Sequence, residues 1–191
     1  TRHAVACGVT VSCGHHLAGP EDVRRLADAG ASALTHLGNG MPNQVHRHNN
    51  PLLAGLAEER LKVLFIPDGH HLPDHVLNVF ARAAGADRLI ATTDAASAAG
   101  LPPGTYNVLG NRAVLEPDGR LHNPEKQCLV GSSATLLACM NVLHALGLFP
   151  LDALLRIGFY NPLRLIGIEP ADIPSCKHGV IFAPDTGFAL H

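Results

Sequence analysis

Four short apolar runs along this chain each end on a cluster of chemistry-bearing residues, and that repetition constrains the fold more than any other feature. Residues 4–11 lead into Cys13-Gly14-His15-His16, residues 33–34 into Thr35-His36-Leu37, residues 61–66 into Asp68-Gly69-His70-His71, and residues 89–91 into Thr92-Thr93-Asp94-Ala95. Each run is rich in Val, Ile, Leu and Ala and reads as a buried parallel strand. Helical stretches separate the runs. Pro20-Glu21-Asp22 opens one, because proline suits a first helical turn and acids suit its positive end. Val23, Leu26 and Ala27 give that helix an apolar face, and Gly30 ends it. Pro73-Asp74 opens another over residues 73–84, with the stripe Val76, Val79, Phe80 and Ala83 at helical spacing and Gly85 at its end. A polar group at the carboxyl end of each successive parallel strand is the layout of an α/β barrel enzyme. Three histidine sites and one aspartate, delivered by four strands, point to metal-dependent hydrolysis.

The rest of the chain has another rhythm. Residues 38–51 form a long loop rich in Gly, Asn, Pro and His, and loops of that length in a compact domain are usually functional. Residues 100–131 alternate turn signals with short apolar pieces and read as small antiparallel strands. Ser132 or Ser133 caps a helix through about residue 145, and residues 150–159 and 162–166 are further helices. Residues 179–190 read as a hairpin turning at Pro184-Asp185-Thr186-Gly187. The expected organisation is a partial barrel over residues 1–167, with residues 100–131 as a β insertion, and a hairpin tail over 168–191. A complete barrel takes at least about 200 residues and commonly about 250. This chain of 191 residues shows four barrel strands and starts inside an apolar run. Its expected class is therefore α/β: the C-terminal half of a TIM (β/α)8 barrel, with part of a small β-rich lobe.

Composition narrows the partners. The net charge of −2 argues against a nucleic-acid partner, which would favour a basic face. No apolar run approaches the roughly 20 residues that span a bilayer. Thr1-Arg2-His3-Ala4 lacks the basic-then-apolar order of a secretory leader. The cysteines at 7, 13, 128, 139 and 176 are odd in number and include no C-x-x-C pair. Several lie in apolar segments, so the expectation is buried free thiols in a reducing cytoplasm. The 13 histidines nearly match the 14 lysines and arginines. His46, His48, His122, His178 and His191 sit in loops or at the end and fit no pattern.

A single histidine at a strand end more often caps a helix or packs as a hydrogen-bonded ring than binds metal. Two of them on adjacent barrel strands, His15 or His16 and then His36, point into one mouth and shift that balance. Asp94 ends the fourth strand, where a carboxylate can take a proton from water and hand it to a leaving amine, or simply cap the next segment. Asp68 is the competing carboxylate, or it orders its own loop. Of His70 and His71, one can face a ligand and one the packing. Gly38-Asn39-Gly40 is a turn whose amides can hold a substrate oxygen. Arg47, the one arginine of the long loop, either binds phosphate by its planar fork or is solvated. Gly131-Ser132-Ser133 opens a helix and can hold an anion or act as a plain cap.

Taken together, Gly14-His15, Thr35-His36-Leu37-Gly38-Asn39-Gly40-Met41, Asp68-Gly69-His70-His71, Thr93-Asp94-Ala95 and Leu129-Val130-Gly131-Ser132-Ser133 resemble the N-acetylglucosamine-6-phosphate deacetylase family of the amidohydrolase superfamily. That family's pattern runs roughly G-H, T-H-L-x-N-A-M, D-G-x-H, T-D-A and L-x-G-S, and the order matches over about residues 10–167. The resemblance implies a TIM-barrel enzyme that deacetylates N-acetylglucosamine 6-phosphate to glucosamine 6-phosphate and acetate. It implies His15 and His36 as ligands of a divalent metal, zinc first and iron or manganese as alternatives, and Asp94 as the catalytic acid and base. Asn39 and the Gly40 amide would meet the sugar, His71 would contact the substrate, and Leu129, Val130 and Gly131 would line the sugar pocket. Arg47 would bind phosphate across the subunit boundary of a homodimer. The sequence departs from the family at Gly38 and Gly40, and where Arg47-His48-Asn49-Asn50-Pro51 replaces R-E-P-G. The family's glutamate ligand lies upstream of these motifs. The alternatives are a related hydrolase acting on another N-acyl or cyclic amide, and an inactive fragment that binds sugar.

Overall fold

A computed structural model of the chain describes residues 1–174 and 177–191, so Cys176 lies outside the described residues. The chain opens with helix α1 (Arg2–Ala6) and then pairs four strands in parallel, in the order β1 (Ser12–Cys13), β2 (Ala33–Leu34), β3 (Lys62–Phe65) and β4 (Leu89–Ala91). Cys13 lies opposite Leu34, Leu34 opposite Val63, and Phe65 opposite Ala91. The connections carry α2 (Pro20–Asp28), α3 (Pro51–Ala57) and α4 (Asp74–Arg88). Because all four strands run the same way, their carboxyl ends lie along one edge of the sheet.

Residues 4–11 are not the expected strand. β1 keeps only Ser12 and Cys13, and no residue of α1 is buried. Among the described residues β1 pairs with β2 alone. With no strand on the other side, the backbone closes its bonds locally: Val5 N–H donates to the Thr1 carbonyl and Cys7 N–H to that of His3.

Helix α3 went unread in the sequence, although its start signal is plain. Asn50 caps it by accepting from Leu53 N–H at 2.9 Å, and Pro51 occupies the first turn. Its far end is closed by a distant residue. The Arg88 guanidinium donates to the carbonyls of Gly55, Leu56, Glu58 and Leu61 at 2.8 to 3.2 Å. Helix α4 buries Leu77, Phe80 and Ala84 and packs Val76 against the core, so Val76 and Phe80 of the expected stripe hold, while Val79 and Ala83 face solvent and Leu77 and Ala84 take their place. Gly85, at φ 67°, breaks the helix where the sequence places its end.

The core lies against the sheet, around Leu34, Leu61, Phe65, Phe80, Leu143 and Leu154. Each such side chain contributes about 1.5–3 kcal/mol by leaving water. Residues after β4 form a second, antiparallel sheet of β5 (Gly104–Val108), β6 (Asn111–Leu115), β7 (Leu121–Asn123) and β8 (Cys128–Leu129) over its own small core. Then α5 (Leu136–Ala145) is capped by Thr135, not by Ser132 or Ser133. Helix α6 (Leu151–Leu155), a π-helical turn (Arg156–Tyr160) and α7 (Asn161–Leu165) come next without a gap. Buried Asn161 ties this run to the α4–β4 junction by donating to the carbonyls of Ala86 and Leu89 at 2.7 and 2.8 Å. The final hairpin, β9 (Val180–Ala183) with β10 (Gly187–Leu190), is stitched to α5 through Asn141 and the Phe188 backbone.

The thiols divide. Burial pushes that of Cys139 up to about 12, which keeps it protonated and inert. Cys7 and Cys128 are exposed, contrary to the expectation of buried cysteines, because the α1 terminus and the edge strand β8 are surface features. Among the described residues, no helix is long and apolar enough to cross a membrane.

Candidate active site at the strand ends

The carboxyl edge of the parallel sheet is marked by its backbone. His15 after β1, His36 after β2 and Asp94 after β4 have φ of 51°, 31° and 49°. After β3 the same region is taken by Gly69, at φ 83°. A non-glycine residue there costs about 1–3 kcal/mol, which persists where the surroundings over-determine the conformation. Among the described residues, Leu109 and Gln127 are the other non-glycine cases, in turns of the small sheet.

At the β1–β2 end, His15 Nε2 and His36 Nε2 face each other at 3.0 Å, with their rings edge to face. His36 is buried, and among the described residues its Nδ1 has no hydrogen-bond partner. A Ser12–Thr35 hydroxyl bond of 2.6 Å fixes the two strand ends together. Gly14 and Gly40 allow the rings this approach. A Cβ on Gly14 would lie 2.8 Å from the Thr35 Cβ, and one on Gly40 would lie 2.8 Å from His15 Nδ1. Asn39 points a buried, unpartnered Nδ2 into the same region, and a small cleft joins Gly14, His15, Thr35, Asn39 and Met41. His16 plays a different part: its Nδ1 accepts from Ala18 N–H at 3.2 Å, and burial lowers its pKa. Of the two adjacent histidines, His15 is the one that meets His36.

Two imidazole nitrogens on one tetrahedral zinc, each about 2.0–2.1 Å from it, stand about 3.3 Å apart. The observed separation is within a few tenths of an ångström of that, so the pair fits two positions around a divalent metal. Among the described residues no three His, Cys, Asp or Glu side chains gather around one point. The chain thus offers two donors of the three or four a metal needs.

The β3–β4 end is built differently. Asp68 Oδ1 accepts from the amides of His70 and His71 at 2.9 and 2.8 Å. Its Oδ2 accepts from His71 Nδ1 at 2.7 Å and from the Ser132 hydroxyl at 2.9 Å. Burial opposes charge on Asp68, but its bonds to the His71 ring and to the two amides hold the carboxyl well below the usual carboxylate range. His70 turns away and meets the Asp118 carbonyl at 3.2 Å. The Ser133 hydroxyl donates to Gly119, so the β6–β7 turn is pinned beside this end. Asp94 has an exposed side chain, and its carbonyl accepts from Ser132 N–H at 2.8 Å. Ala96 N–H returns a bond to Ser132, which makes Gly131-Ser132 a further parallel rung beyond β4. Gly131 fits there because a Cβ would come 2.8 Å from the Asp94 carbonyl oxygen. Leu129 and Val130 lead into that rung, half-buried. Arg47 is exposed in the long loop, apart from both clusters' hydrogen bonds. The Asp68–Ser132 link was missed in the sequence. Asp68 with His71 at i+3 signals a local turn, but nothing local marks a serine 64 residues on.

No protein-family model matches the chain. It is 30% identical over 189 residues to the N-acetylgalactosamine-6-phosphate deacetylase of Escherichia coli O157:H7, covering 97% of this chain and 49% of that protein. The crystal structure of N-acetyl-D-glucosamine-6-phosphate deacetylase from Mycobacterium smegmatis matches with a TM-score of 0.85 at 27% identity, over 98% of this chain and 51% of that one. A mutant of the Mycobacterium smegmatis enzyme in complex with N-acetyl-D-glucosamine-6-phosphate matches with a TM-score of 0.80 at 27% identity, over 87% of this chain and 45% of that one. The chain resembles the amino-sugar-6-phosphate deacetylases and shares their α/β fold. It spans about half the length of the curated relatives it matches.

Proposed function

We propose that this chain is the C-terminal half of a (β/α)8 barrel that hydrolyses the acetamide of N-acetylglucosamine 6-phosphate to glucosamine 6-phosphate and acetate. The observation that carries the reading is the placement of His15, His36 and Asp94 along one edge of one parallel sheet, all three in left-handed backbone. His15 and His36 hold a divalent metal through their facing Nε2 atoms, and the part of the protein this chain does not span supplies the remaining donors. Imidazole suits zinc, iron and other first-row metals, so zinc is the first choice and iron or manganese the alternatives. When bound, such a metal polarises the amide carbonyl and lowers the pKa of water.

The remaining chemistry belongs to side chains. Asp94 is exposed at the end of β4 and free to take a proton from the attacking water and return it to the leaving amine. The unpartnered Asn39 amide and the Gly40 N–H donate to sugar oxygens. His71 contacts the sugar phosphate, and Leu129, Val130 and Gly131 wall the sugar. Arg47 offers its fork to the phosphate of a neighbouring active site in a homodimer, a role that its exposed loop suits. Free thiols suit a reducing, cytoplasmic setting.

The test is release of acetate and free amine by the zinc-loaded full-length protein. The Escherichia coli relative is named for the galactosamine epimer, so both epimers are assayed, each with and without phosphate. Faster hydrolysis of a phosphorylated sugar is expected, and no hydrolysis of either phosphorylated epimer would sink the proposal.

A further inference from the structure

We infer that Asp68 and Ser132 are positioning residues that fix His71 with its proton on Nδ1, so that its bare Nε2 accepts a hydrogen bond from a donor on the sugar phosphate. The inference rests on the deacetylase reading for the identity of the ligand, but not for the state of the ring.

Asp68 and His71 are nearly closed off from solvent, at 2% and 6% side-chain exposure. Four donors surround the carboxylate: two backbone amides on Oδ1, and Ser132 and His71 on Oδ2. An ionised carboxylate only accepts, so the His71 nitrogen that faces it must carry a hydrogen. Ser132 is committed as well, because its oxygen in turn accepts from Ala134 N–H at 3.0 Å. The hydroxyl hydrogen therefore points to Asp68, and no partner is left to invert the arrangement. Nε2, on the opposite edge of the ring, is directed away from Asp68. In the neutral ring it is a lone pair, which suits a sugar hydroxyl or an amide N–H. The network also spans the sheet edge, since Ser132 is the rung beside Asp94.

Replacing Asp68 with asparagine makes a sharp test. The two backbone amides on Oδ1 keep the amide oxygen in that place. The NH2 group then takes the Oδ2 position and donates to His71 Nδ1. The ring proton must move to Nε2, which turns an acceptor into a donor with almost no change of shape.

The experiment is two-bond 1H–15N correlation at pH 8 on the zinc-loaded full-length protein labelled at histidine, with His71 assigned by its loss in His71→Asn. The expected wild-type pattern is an Nδ1–H ring, and the Asp68→Asn pattern an Nε2–H ring. Asp68→Asn should also lower kcat/KM for the phosphorylated sugar roughly 10- to 100-fold, the scale expected when a hydrogen-bond acceptor facing a ligand becomes a donor. Ser132→Ala should keep the wild-type tautomer and cost less, and it decides the case together with the wild-type spectrum if Asp68→Asn does not fold. A wild-type His71 protonated on Nε2 or on both nitrogens overturns the inference, as does an Asp68→Asn enzyme with unchanged kcat/KM. A protein that hydrolyses neither epimer defeats the deacetylase reading, while the spectra still decide the ring.

Discussion

The two ends of the sheet's carboxyl edge solve opposite problems. At β1–β2, buried polar atoms are left open: His36 Nδ1 and Asn39 Nδ2 have no partner, and two ring nitrogens meet face on. At β3–β4, both carboxylate oxygens of Asp68 are used, and His71 and Ser132 are held by it. Buried polar groups in folded proteins are nearly always partnered, so an open pair beside a closed network is informative. One end leaves polar atoms open, and the other holds its own side chains still.

Four measurements can break or sharpen that contrast. The largest effect belongs to the open end. His15→Ala and His36→Ala in the full-length protein should each weaken metal binding by more than the roughly 10- to 100-fold that loss of an orienting partner costs, and take activity with it. Metal analysis after gel filtration reads this, and full occupancy in both variants would remove the distinction between the ends. Asp94 comes next. Asp94→Asn keeps the shape and removes the base, so it should retain metal and lower kcat by roughly two to four decades. Near-wild-type turnover would move the proton-transfer role elsewhere.

The closed end should show itself in stability. Asp68 has a depressed folded pKa, so its contribution is present above the unfolded carboxylate value of about 3.9 and is lost as pH falls through the folded one. Wild type should exceed Asp68→Asn by about 1–3 kcal/mol at pH 7, with the gap closing below pH 4. Denaturant titrations at both pH values would show it, and a gap independent of pH would mean that the charge of Asp68 is irrelevant. The smallest effect is expected at Arg47, outside both ends. Arg47→Ala should leave stability within about 0.5 kcal/mol, raise KM for the phosphorylated sugar and spare the unphosphorylated one. Equal KM changes for both would make the arginine structural.

The sequence announces features that are local. Pro20, Gly30, Pro73 and Gly85 mark helix ends, and each apolar run leads to a residue that the fold sets on the sheet edge. It is silent where the answer depends on a neighbour. Residues 4–11 carry strand-forming side chains, but only Val11 of that run bonds toward β2, and residues 4–6 fold into α1 instead. Helix α3 is closed by Arg88, about thirty residues away, so its C-terminus leaves no local trace. Which of His15 and His16 turns inward is settled by one backbone amide, that of Ala18. The Ser132–Asp68 bond crosses 64 residues, and no spacing rule reaches that far.

The left-handed backbone at His15, His36 and Asp94 sets these positions against any search for a hardier protein. Glycine adopts that backbone freely, and its added chain entropy costs about 0.5–1 kcal/mol, less than most of the strain it would relieve. At Asp94, which is exposed, Asp94→Gly should raise the melting temperature. Random mutagenesis scored by heat resistance alone would therefore be drawn to the residue proposed to move the protons, and its winners would be sturdier and silent.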